Sequence, residues 1–294
     1  MTSPFHLQSG QAEGTCASGF GTCCVMRLIT CGGVVTTNVT QLQNPSFPAT
    51  YSVPGTCVYL VKRQTENICQ IRLDFDKLSL GYSSSSPTGC VTGTTDILSF
   101  STPNKVDYPS VCGDVSGQHS KSPVSNISPL LPLLSVYFDV GVAGDSLEVT
   151  FSLTGSTTNR QWNILVTQLG CSDPWRAPAD CLQYHTGIFG NIQSFNFANG
   201  QILSSQAYKI CFRQELDFCT ISFTASLDTS PDPFELLTGT SGTTTTVANC
   251  KTTFLGIPDG GDTGQMDSRA QRYCGSYFDS TEGSTRNGQV SCES

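Results

Sequence analysis

The chain has 294 residues, which is enough for two domains of ordinary size. Only 13% of the residues are charged, and 15 Lys and Arg against 23 Asp and Glu give a net charge of −8. This acidic balance argues against nucleic acid and anionic membrane surfaces as partners, because both require a basic face. No run of about 20 apolar residues is present, so no membrane span is predicted.

The 15 cysteines indicate disulfides rather than a metal site. No Cys-x-x-Cys pair occurs and the three His are scattered, so the pattern does not fit zinc. Disulfides persist in oxidising compartments, and we therefore expect a secreted, extracellular protein. Because 15 is odd, at least one cysteine is a free thiol, pairs between chains in an oligomer, or has lost its partner with a missing segment. Residues 1–6 lack the features of a signal peptide, so we expect a mature or truncated chain.

Alternating apolar and polar residues predict strands along most of the chain, whereas helical patterns are nearly absent. The side chains of a strand point to alternate faces, so such runs are typical of strands with one buried face. Gly, Pro, Ser and Thr separate the runs at short intervals, which favours an all-β antiparallel sandwich or barrel. The clearest runs are Cys57 to Val61, Cys69 to Phe75, Leu134 to Phe138, Leu147 to Phe151 and Trp162 to Val166.

The order of the cysteines repeats, which indicates duplication of one disulfide-stapled β domain. The first series is Cys31, Cys57, Cys69, Cys90 and Cys112, and the second is Cys181, Cys211, Cys219, Cys250 and Cys274. Each series ends in Cys-Gly. Cys69 and Cys219 occupy equivalent places, so we expect them to have equivalent partners, which the sequence does not name.

These observations predict four parts of the chain. Residues 1–30 form a short cysteine-rich N-terminal segment, and residues 31–170 form the first domain. Residues 171–180 contain two Pro and no alternation, and we interpret them as a linker. Residues 181–294 form the second domain.

The ordered set of motifs resembles the CUB family over about residues 31–294. In the first half the motifs are Cys31-Gly32-Gly33, Asn44-Pro45-Ser46-Phe47-Pro48-Ala49-Thr50-Tyr51, Cys57-Val58-Tyr59, Ile71-Arg72-Leu73-Asp74-Phe75, Thr95-Asp96-Ile97-Leu98 and Cys112-Gly113. The second half is similar through Cys181-Leu182-Gln183-Tyr184, Ile210-Cys211-Phe212-Arg213, Phe254 to Gly260 and Tyr273-Cys274-Gly275. Details around Gly117-Gln118-His119 and Arg176-Ala177-Pro178 look like secreted arthropod CUB proteins.

The resemblance implies two antiparallel β-sandwiches in tandem, of the jelly-roll type found in CUB domains. It also implies the disulfides Cys31–Cys57, Cys90–Cys112, Cys181–Cys211 and Cys250–Cys274. The remaining seven cysteines have no assigned partner at this point, and they are Cys16, Cys23, Cys24, Cys69, Cys171, Cys219 and Cys292.

Many CUB domains bind calcium through a Glu before the third cysteine, an Asp after it and a later Asp. In the first half Asp96 matches the middle position, and Asp139 or Asp145 is a candidate for the third. Gly81 stands where the Glu would be, and calcium needs 6–8 oxygen ligands. We therefore expect no cofactor, with a weak calcium candidate in the first domain alone. The alternative for Asp96 is a loop carboxylate that accepts backbone N–H groups.

No catalytic motif is convincing, and we expect no enzyme. Gly144-Asp145-Ser146 resembles the start of a serine protease nucleophile loop, but Leu147 follows where two Gly are required, so we interpret it as a hairpin turn. The candidate bases His6, His119 and His185 have no visible orienting partner. Asp74 and Asp76 are interpreted as two exposed positions on one strand face rather than a glycosidase pair.

Two sequons predict N-glycosylation. They are Asn38-Val39-Thr40 and Asn126-Ile127-Ser128, and Pro129 after the second makes it the weaker acceptor.

The sequence favours a secreted, non-catalytic glycoprotein that binds other extracellular proteins or glycans through loops at the ends of its sandwiches. Two alternatives stay open: the regulatory CUB portion of a larger trypsin-like serine protease precursor, and a structural protein of extracellular matrix or cuticle. Residues 172–294 carry 7 Lys and Arg against 13 Asp and Glu, an acidic excess that favours solubility, with a basic partner as the alternative.

Overall fold

The computed structural model is built almost entirely from β-strands. It describes residues 9–16, 21–81, 90, 93–103, 108–116, 134–141, 145–155, 159–197, 202–225, 234–236, 244–246, 250, 252–258, 260, 272–279 and 289–293. The part it describes contains no α-helix and hence no helix long and apolar enough to cross a bilayer. The chain divides into two compact units, Met1–Arg213 and Gln214–Ser294.

The strands of the first unit form a two-layered sandwich with a parallel pair beside it. They are β1 (Ser9–Cys16), β2 (Gly21–Leu28), β3 (Gly33–Val35), β4 (Val39–Gln43), β5 (Gly55–Lys62), β6 (Ile68–Ser79), β7 (Ile97–Ser101), β8 (Leu134–Asp139), β9 (Ser146–Leu153), β10 (Gln161–Gly170), β11 (Cys181–His185) and β12 (Lys209–Phe212). One sheet has the order β1-β2-β4-β10-β6-β8 and the other β3-β5-β9-β7. The five runs predicted from alternation lie in β5, β6, β8, β9 and β10, so the all-β sandwich prediction is confirmed.

The two sheets bury one shared core. On β5 the residues Cys57, Tyr59 and Val61 are buried while their neighbours are more exposed, which is the pattern expected of one inward face. Trp162 on β10 is fully buried and stacks on Phe151 of β9, with ring centroids 4.6 Å apart. This contact joins the two sheets at the middle of the core.

Not every strand pair is antiparallel. β2 runs parallel to β4, β3 to β5, and β11 to β12. Between β3 and β5 the chain crosses into the other sheet to form β4 before it returns, and such a crossover connection is what a parallel pair requires. The described strand pairs are thus antiparallel, as predicted, except at these three pairs.

Five disulfides connect the described strands and loops. Four are the pairs that the family resemblance implies, Cys31–Cys57, Cys90–Cys112, Cys181–Cys211 and Cys250–Cys274. The fifth joins Cys69 on β6 to Cys171 just after β10, with the Cα atoms 4.8 Å apart. The expected partner of Cys69, which the sequence left open, is therefore Cys171.

The segment predicted as a linker is packed against the first unit. Ala177 is buried, and its backbone N–H and C=O both bond to the side-chain amide of Gln70 on β6. Cys181 is also buried, in a cluster with Tyr137 and Leu169. The exact boundary between the two predicted domains stays a prediction.

The described residues of the second unit form short strands around a second core. They are β13 (Thr220–Thr224), β14 (Thr244–Thr246), β15 (Leu255–Gly256), β16 (Arg272–Gly275) and β17 (Gln289–Glu293). β13 pairs with β17, and β16 lies between β14 and β15. The core contains Ile257, Tyr273, Phe278, Val290 and Cys292.

Tyr59 makes the first sandwich sensitive to alkaline pH. Its buried hydroxyl donates to the carbonyl of Thr30 (2.6 Å) and accepts from the indole N–H of Trp162 (3.3 Å). Burial raises the pKa of Tyr59 to about 12, whereas the unfolded chain releases this proton near 10. The free energy that the protonated Tyr59 hydroxyl contributes to folding is complete below pH 10 and is lost as the pH rises toward 12.

We expect the free energy of unfolding to fall with pH less steeply between pH 10 and 12 in Tyr59→Phe than in the wild type. The difference accumulates to about 2–3 kcal/mol across that interval. Guanidinium unfolding at several alkaline pH values measures the two slopes. Equal slopes in the two proteins would contradict this account, whatever stability the variant has at neutral pH.

Candidate functional site

An open cavity of about 270 Å³ lies at one end of the first sandwich. Loops that follow β7, connect β8 to β9, and lead into β11 and β12 form its walls. The lining residues are Thr102, Tyr108, Pro109, Tyr137, Asp139, Gly141, Asp145, Asp180, Cys181, Leu182, Ala207 and Tyr208. Three are Asp and three are Tyr, and none is Lys, Arg or His.

Asp139 is held by groups from two distant parts of the sequence. Its Oδ1 accepts a hydrogen bond from Gln70 Nε2 (2.8 Å), and its Oδ2 accepts one from the backbone N–H of Asp180 (2.9 Å). Gln70 is fully buried and also bonds to both backbone groups of Ala177. The same amide therefore fixes the Asp139 carboxylate and the chain that carries Asp180.

The other two carboxylates differ in exposure. Asp145 is 7% exposed, and its Oδ2 accepts from the backbone N–H of Gly141 (3.2 Å). Asp180 is exposed and has a φ of 63°, a left-handed conformation that Asp and Asn tolerate better than most residues. The three carboxylates that line the cavity thus range from the buried Asp145 through the half-buried Asp139 to the exposed Asp180.

The tyrosines supply an aromatic wall that stays neutral. Burial raises the pKa of Tyr108 above its ordinary value; the nearby charges of Asp139 and Asp180 add to this, and a hydrogen bond with Thr102 opposes it. Burial likewise raises the pKa of Tyr137, and it raises that of Tyr208 to about 12. At physiological pH the phenols carry no charge, so the formal charges among the lining residues are those of the three carboxylates.

Carboxylates beside aromatic faces suit an organic cation. An ammonium or guanidinium group makes charge-assisted hydrogen bonds to carboxylates and is attracted to the faces of aromatic rings. Within the described ranges no three His, Cys, Asp or Glu side chains are grouped closely enough to hold a metal ion. The cavity therefore presents carboxylate and aromatic groups of the kind that interact with the end of a Lys or Arg side chain.

Asp96, the central residue of the weak calcium candidate, lies in a different place. It is fully buried and forms an ion pair with Arg160, whose Nε lies 2.7 Å from Oδ2 and whose Nη2 lies 3.1 Å from Oδ1. The backbone N–H groups of Gly81 and Thr154 also donate to it, as the loop-carboxylate alternative expects. The cation beside Asp96 is thus a guanidinium.

Asp96 also lies far from the two carboxylates predicted to act with it. Asp96 bonds to Thr154, directly after the last residue of β9, whereas Asp145 directly precedes the first. A strand of eight residues spans roughly 25 Å at the usual rise. The predicted set of Asp96, Asp139 and Asp145 is therefore wrong as one site, although Asp139 and Asp145 do share a cavity.

The candidates for catalysis that the structure describes have the following surroundings. Asp145 does not lie in a hairpin, because β8 and β9 belong to different sheets, so that interpretation is wrong. His185 stacks on Phe212 (5.6 Å), and His6 and His119 lie outside the described residues. Asp74 is only 4% exposed and bonds to Arg72 and Ser135, so its predicted exposure is also wrong.

The two sequons differ in what the structure shows. Asn38 is exposed and directly precedes β4, while Thr40 of the same sequon is buried. Asn126 lies outside the described residues. Glycosylation at either site stays a prediction.

Sequence reasoning missed the residues that complete the cavity and the buried pair. Asp180 lies in the segment interpreted as a linker, and Gln70 is one more polar residue in an alternating strand. Arg160 gave no signal because a single Arg before a strand is common. Their roles depend on contacts between residues 41 to 107 positions apart in the chain.

Comparison with known families gives two matches. The family model described as the CUB domain matches residues 31–131, and the model described as the animal CUB domain matches residues 178–294. No curated protein matches the chain.

Several solved structures are similar to parts of the chain. The full extracellular region of zebrafish Gpr126/Adgrg6 is 15% identical with a TM-score of 0.33, over 48% of this chain and 15% of that one. The CUB1-EGF-CUB2 region of human MASP-1/3 is 20% identical with a TM-score of 0.33, over 49% and 43%. The CUB1-EGF-CUB2 region of rat MASP-1 is 16% identical with a TM-score of 0.32, over 90% and 94%. The chain thus spans less than half of the first two.

The buried ion pair of Arg160 with Asp96 is expected to contribute to the free energy of unfolding. Arg160→Met leaves the Asp96 carboxylate buried without its cation, which we expect to cost about 3–5 kcal/mol of unfolding free energy. Adding Asp96→Asn to Arg160→Met removes the buried charge and recovers part of the loss. Denaturant unfolding measures both effects.

The control is Lys77→Met, which breaks the more exposed pair of Lys77 with Asp114 (3.6 Å). We expect it to cost less than about 1 kcal/mol. If Arg160→Met were no more destabilising than Lys77→Met, the proposed importance of the buried pair would be refuted.

Proposed function

Because the chain carries two CUB domains in tandem, we propose that it binds other extracellular proteins by inserting a basic side chain of the partner into the cavity of the first unit. CUB domains are non-catalytic modules that generally mediate protein interactions outside the cell. The observation that carries the proposal is the grouping of Asp139, Asp145 and Asp180 around one aromatic-walled cavity.

The geometry supports a long cationic side chain in particular. The buried Asp145 and the anchored Asp139 provide acceptors inside the cavity, and Asp180 provides an acceptor at the surface. The apolar stem of Lys or Arg packs against Tyr rings while its charged head reaches the carboxylates. The net charge of −8 additionally attracts a basic partner over the distance of about one Debye length.

We also propose that this recognition requires no calcium. Both oxygens of Asp96 accept hydrogen bonds from protein groups, and both oxygens of Asp139 do the same. Binding at the cavity is accordingly expected to be equal in EDTA and in millimolar calcium chloride.

The proposal is tested by titrating the full chain, labelled with 15N, with Nα-acetyl-lysine methylamide and following amide shifts by NMR. The N–H of Gly141 bonds to Asp145 and that of Asp180 bonds to Asp139, so their resonances report on the carboxylates. We expect both to shift, and the shifts to weaken as salt screens the charges. Asp180→Asn should weaken binding about twofold to fivefold, the usual range for one exposed charge.

Two controls isolate the ammonium group and the site. Nα-acetyl-norleucine methylamide has a similar stem without the charge and should leave both resonances unmoved. Asp217→Asn replaces another exposed Asp with positive φ (67°) in the second unit and should bind as the wild type does. Equal shifts from both probes would refute the proposal, and shifts from chitotriose alone would favour a glycan ligand.

Extracellular placement has its own test at Asn38. When the chain passes through a eukaryotic secretory pathway, we expect a glycan there, because Asn38 is exposed at the start of β4. Asn38→Gln should remove a mass that peptide-N-glycosidase also removes, whereas Thr40→Ser preserves the sequon and should retain it. A secreted wild type whose Asn38 peptide is entirely unmodified would contradict the expectation.

A further inference from the structure

Cys292 of the second unit lies in β17, and Cys219 directly precedes β13, the strand that pairs with β17. β13 and β17 are antiparallel, with Ile221 directly opposite Cys292. Cys219 is two residues before Ile221, so an extended chain places it on the same face as Ile221 and diagonal to Cys292. Cys219 is an exposed thiol and Cys292 a buried one, so the pair lies where the core of the second unit meets solvent.

The first unit contains a disulfide in the corresponding position. Cys69 near the start of β6 is joined to Cys171 just after β10, the last strand of its sandwich. β6 and β10 are antiparallel, as are β13 and β17, and Cys219 follows Cys211 much as Cys69 follows Cys57. The two pairs differ in register, because Cys171 lies beyond its strand whereas Cys292 lies within β17.

We propose that Cys219 and Cys292 form a disulfide that joins the ends of the second unit as Cys69–Cys171 joins β6 and β10 of the first. Diagonal neighbours in an antiparallel pair have Cα atoms about 7–8 Å apart, and a disulfide requires about 4.4–6.8 Å. The bond therefore needs a movement of about 1–2 Å. Cys219 lies outside the ladder of β13 with β17 and directly follows the exposed Phe218, so no backbone pairing between these strands fixes its position.

The oxidant is a protein or small-molecule disulfide, R–S–S–R. The exposed Cys219 thiolate attacks one sulfur of R–S–S–R and releases the first RS⁻, which leaves a mixed disulfide at Cys219. The Cys292 thiolate then attacks the Cys219 sulfur and releases the second RS⁻. In sum, two protein thiols and R–S–S–R give one protein disulfide and two R–SH.

This disulfide also restricts the odd, unpaired cysteine to the N-terminal segment. With Cys219–Cys292 formed, the five observed disulfides and this one account for every cysteine except Cys16, Cys23 and Cys24. Any thiol left for a bond between chains then belongs to the N-terminal segment. The inference stands apart from the proposed binding function and does not depend on it.

A count of free thiols distinguishes a Cys219–Cys292 disulfide from two free cysteines. Single variants raise the count in the first case and lower it in the second. The full chain, secreted and then unfolded in guanidinium without reductant, is titrated with Ellman's reagent. If the disulfide forms, Cys219→Ser and Cys292→Ser each expose one thiol more than the wild type, and the double variant returns to the wild-type count. Cys69→Ser is the matched control and should likewise add one thiol by releasing Cys171.

Other outcomes overturn the proposal. If each single variant lost one thiol, both cysteines would be free in the wild type. If Cys219→Ser left the count unchanged and abolished a dimer on a non-reducing gel, Cys219 would instead link two chains.

Peptide mapping of the wild type provides a test that needs no variant. Trypsin and Glu-C together cut after Glu235, Lys251 and Arg286, so Cys219 and Cys250 fall in separate peptides. After thiols are blocked with iodoacetamide, we expect peptide 216–235 to be linked to peptide 287–293. An alkylated Cys219 peptide, or one linked to Cys250 or Cys274, would refute the proposal.

Discussion

The buried ion pair of Asp96 with Arg160 is the constraint on which the arrangement of the first sandwich depends. Two charges with no exposure are costly unless each is paired and hydrogen-bonded, and here the geometry supplies both. Asp96 precedes β7 and bonds to Thr154 after β9, both in the four-stranded sheet, while Arg160 precedes β10 and Gly81 follows β6 in the six-stranded sheet. The pair thus holds the two sheets together at one end.

The acidic cavity lies at the opposite end of β9. There the loop from β8 crosses between the sheets, and the segment that contains Asp180 is fixed to β6 by Gln70 and by the Cys69–Cys171 disulfide. Asp139 accepts a hydrogen bond from that same amide and another from the backbone N–H of Asp180, so its carboxylate is anchored to both segments. For the binding proposed above, acceptors that are already held in place lower the cost of ordering side chains.

Both units contain a hydrophobic core and at least one disulfide. The first core contains residues from both of its sheets, including Trp162 and Tyr59, and the described part of the second unit contains a cluster around Tyr273 and Phe278. Disulfides stabilise a fold because they restrict the unfolded chain. In the second unit these are Cys250–Cys274 and the bond inferred between Cys219 and Cys292.

The sequence by itself determined the strands, the class of fold and the pairing that its family resemblance implied. A period of two is a local property, so β5, β6, β8, β9 and β10 could be predicted from neighbouring residues alone. Only the tertiary structure decided which charged residues lie together. Asp96 and Asp145 lie at opposite ends of β9, and Asp96 pairs with Arg160. Asp139 instead accepts a hydrogen bond from the backbone of Asp180. These contacts join residues far apart in the chain, and no local pattern encodes which distant strand ends will meet.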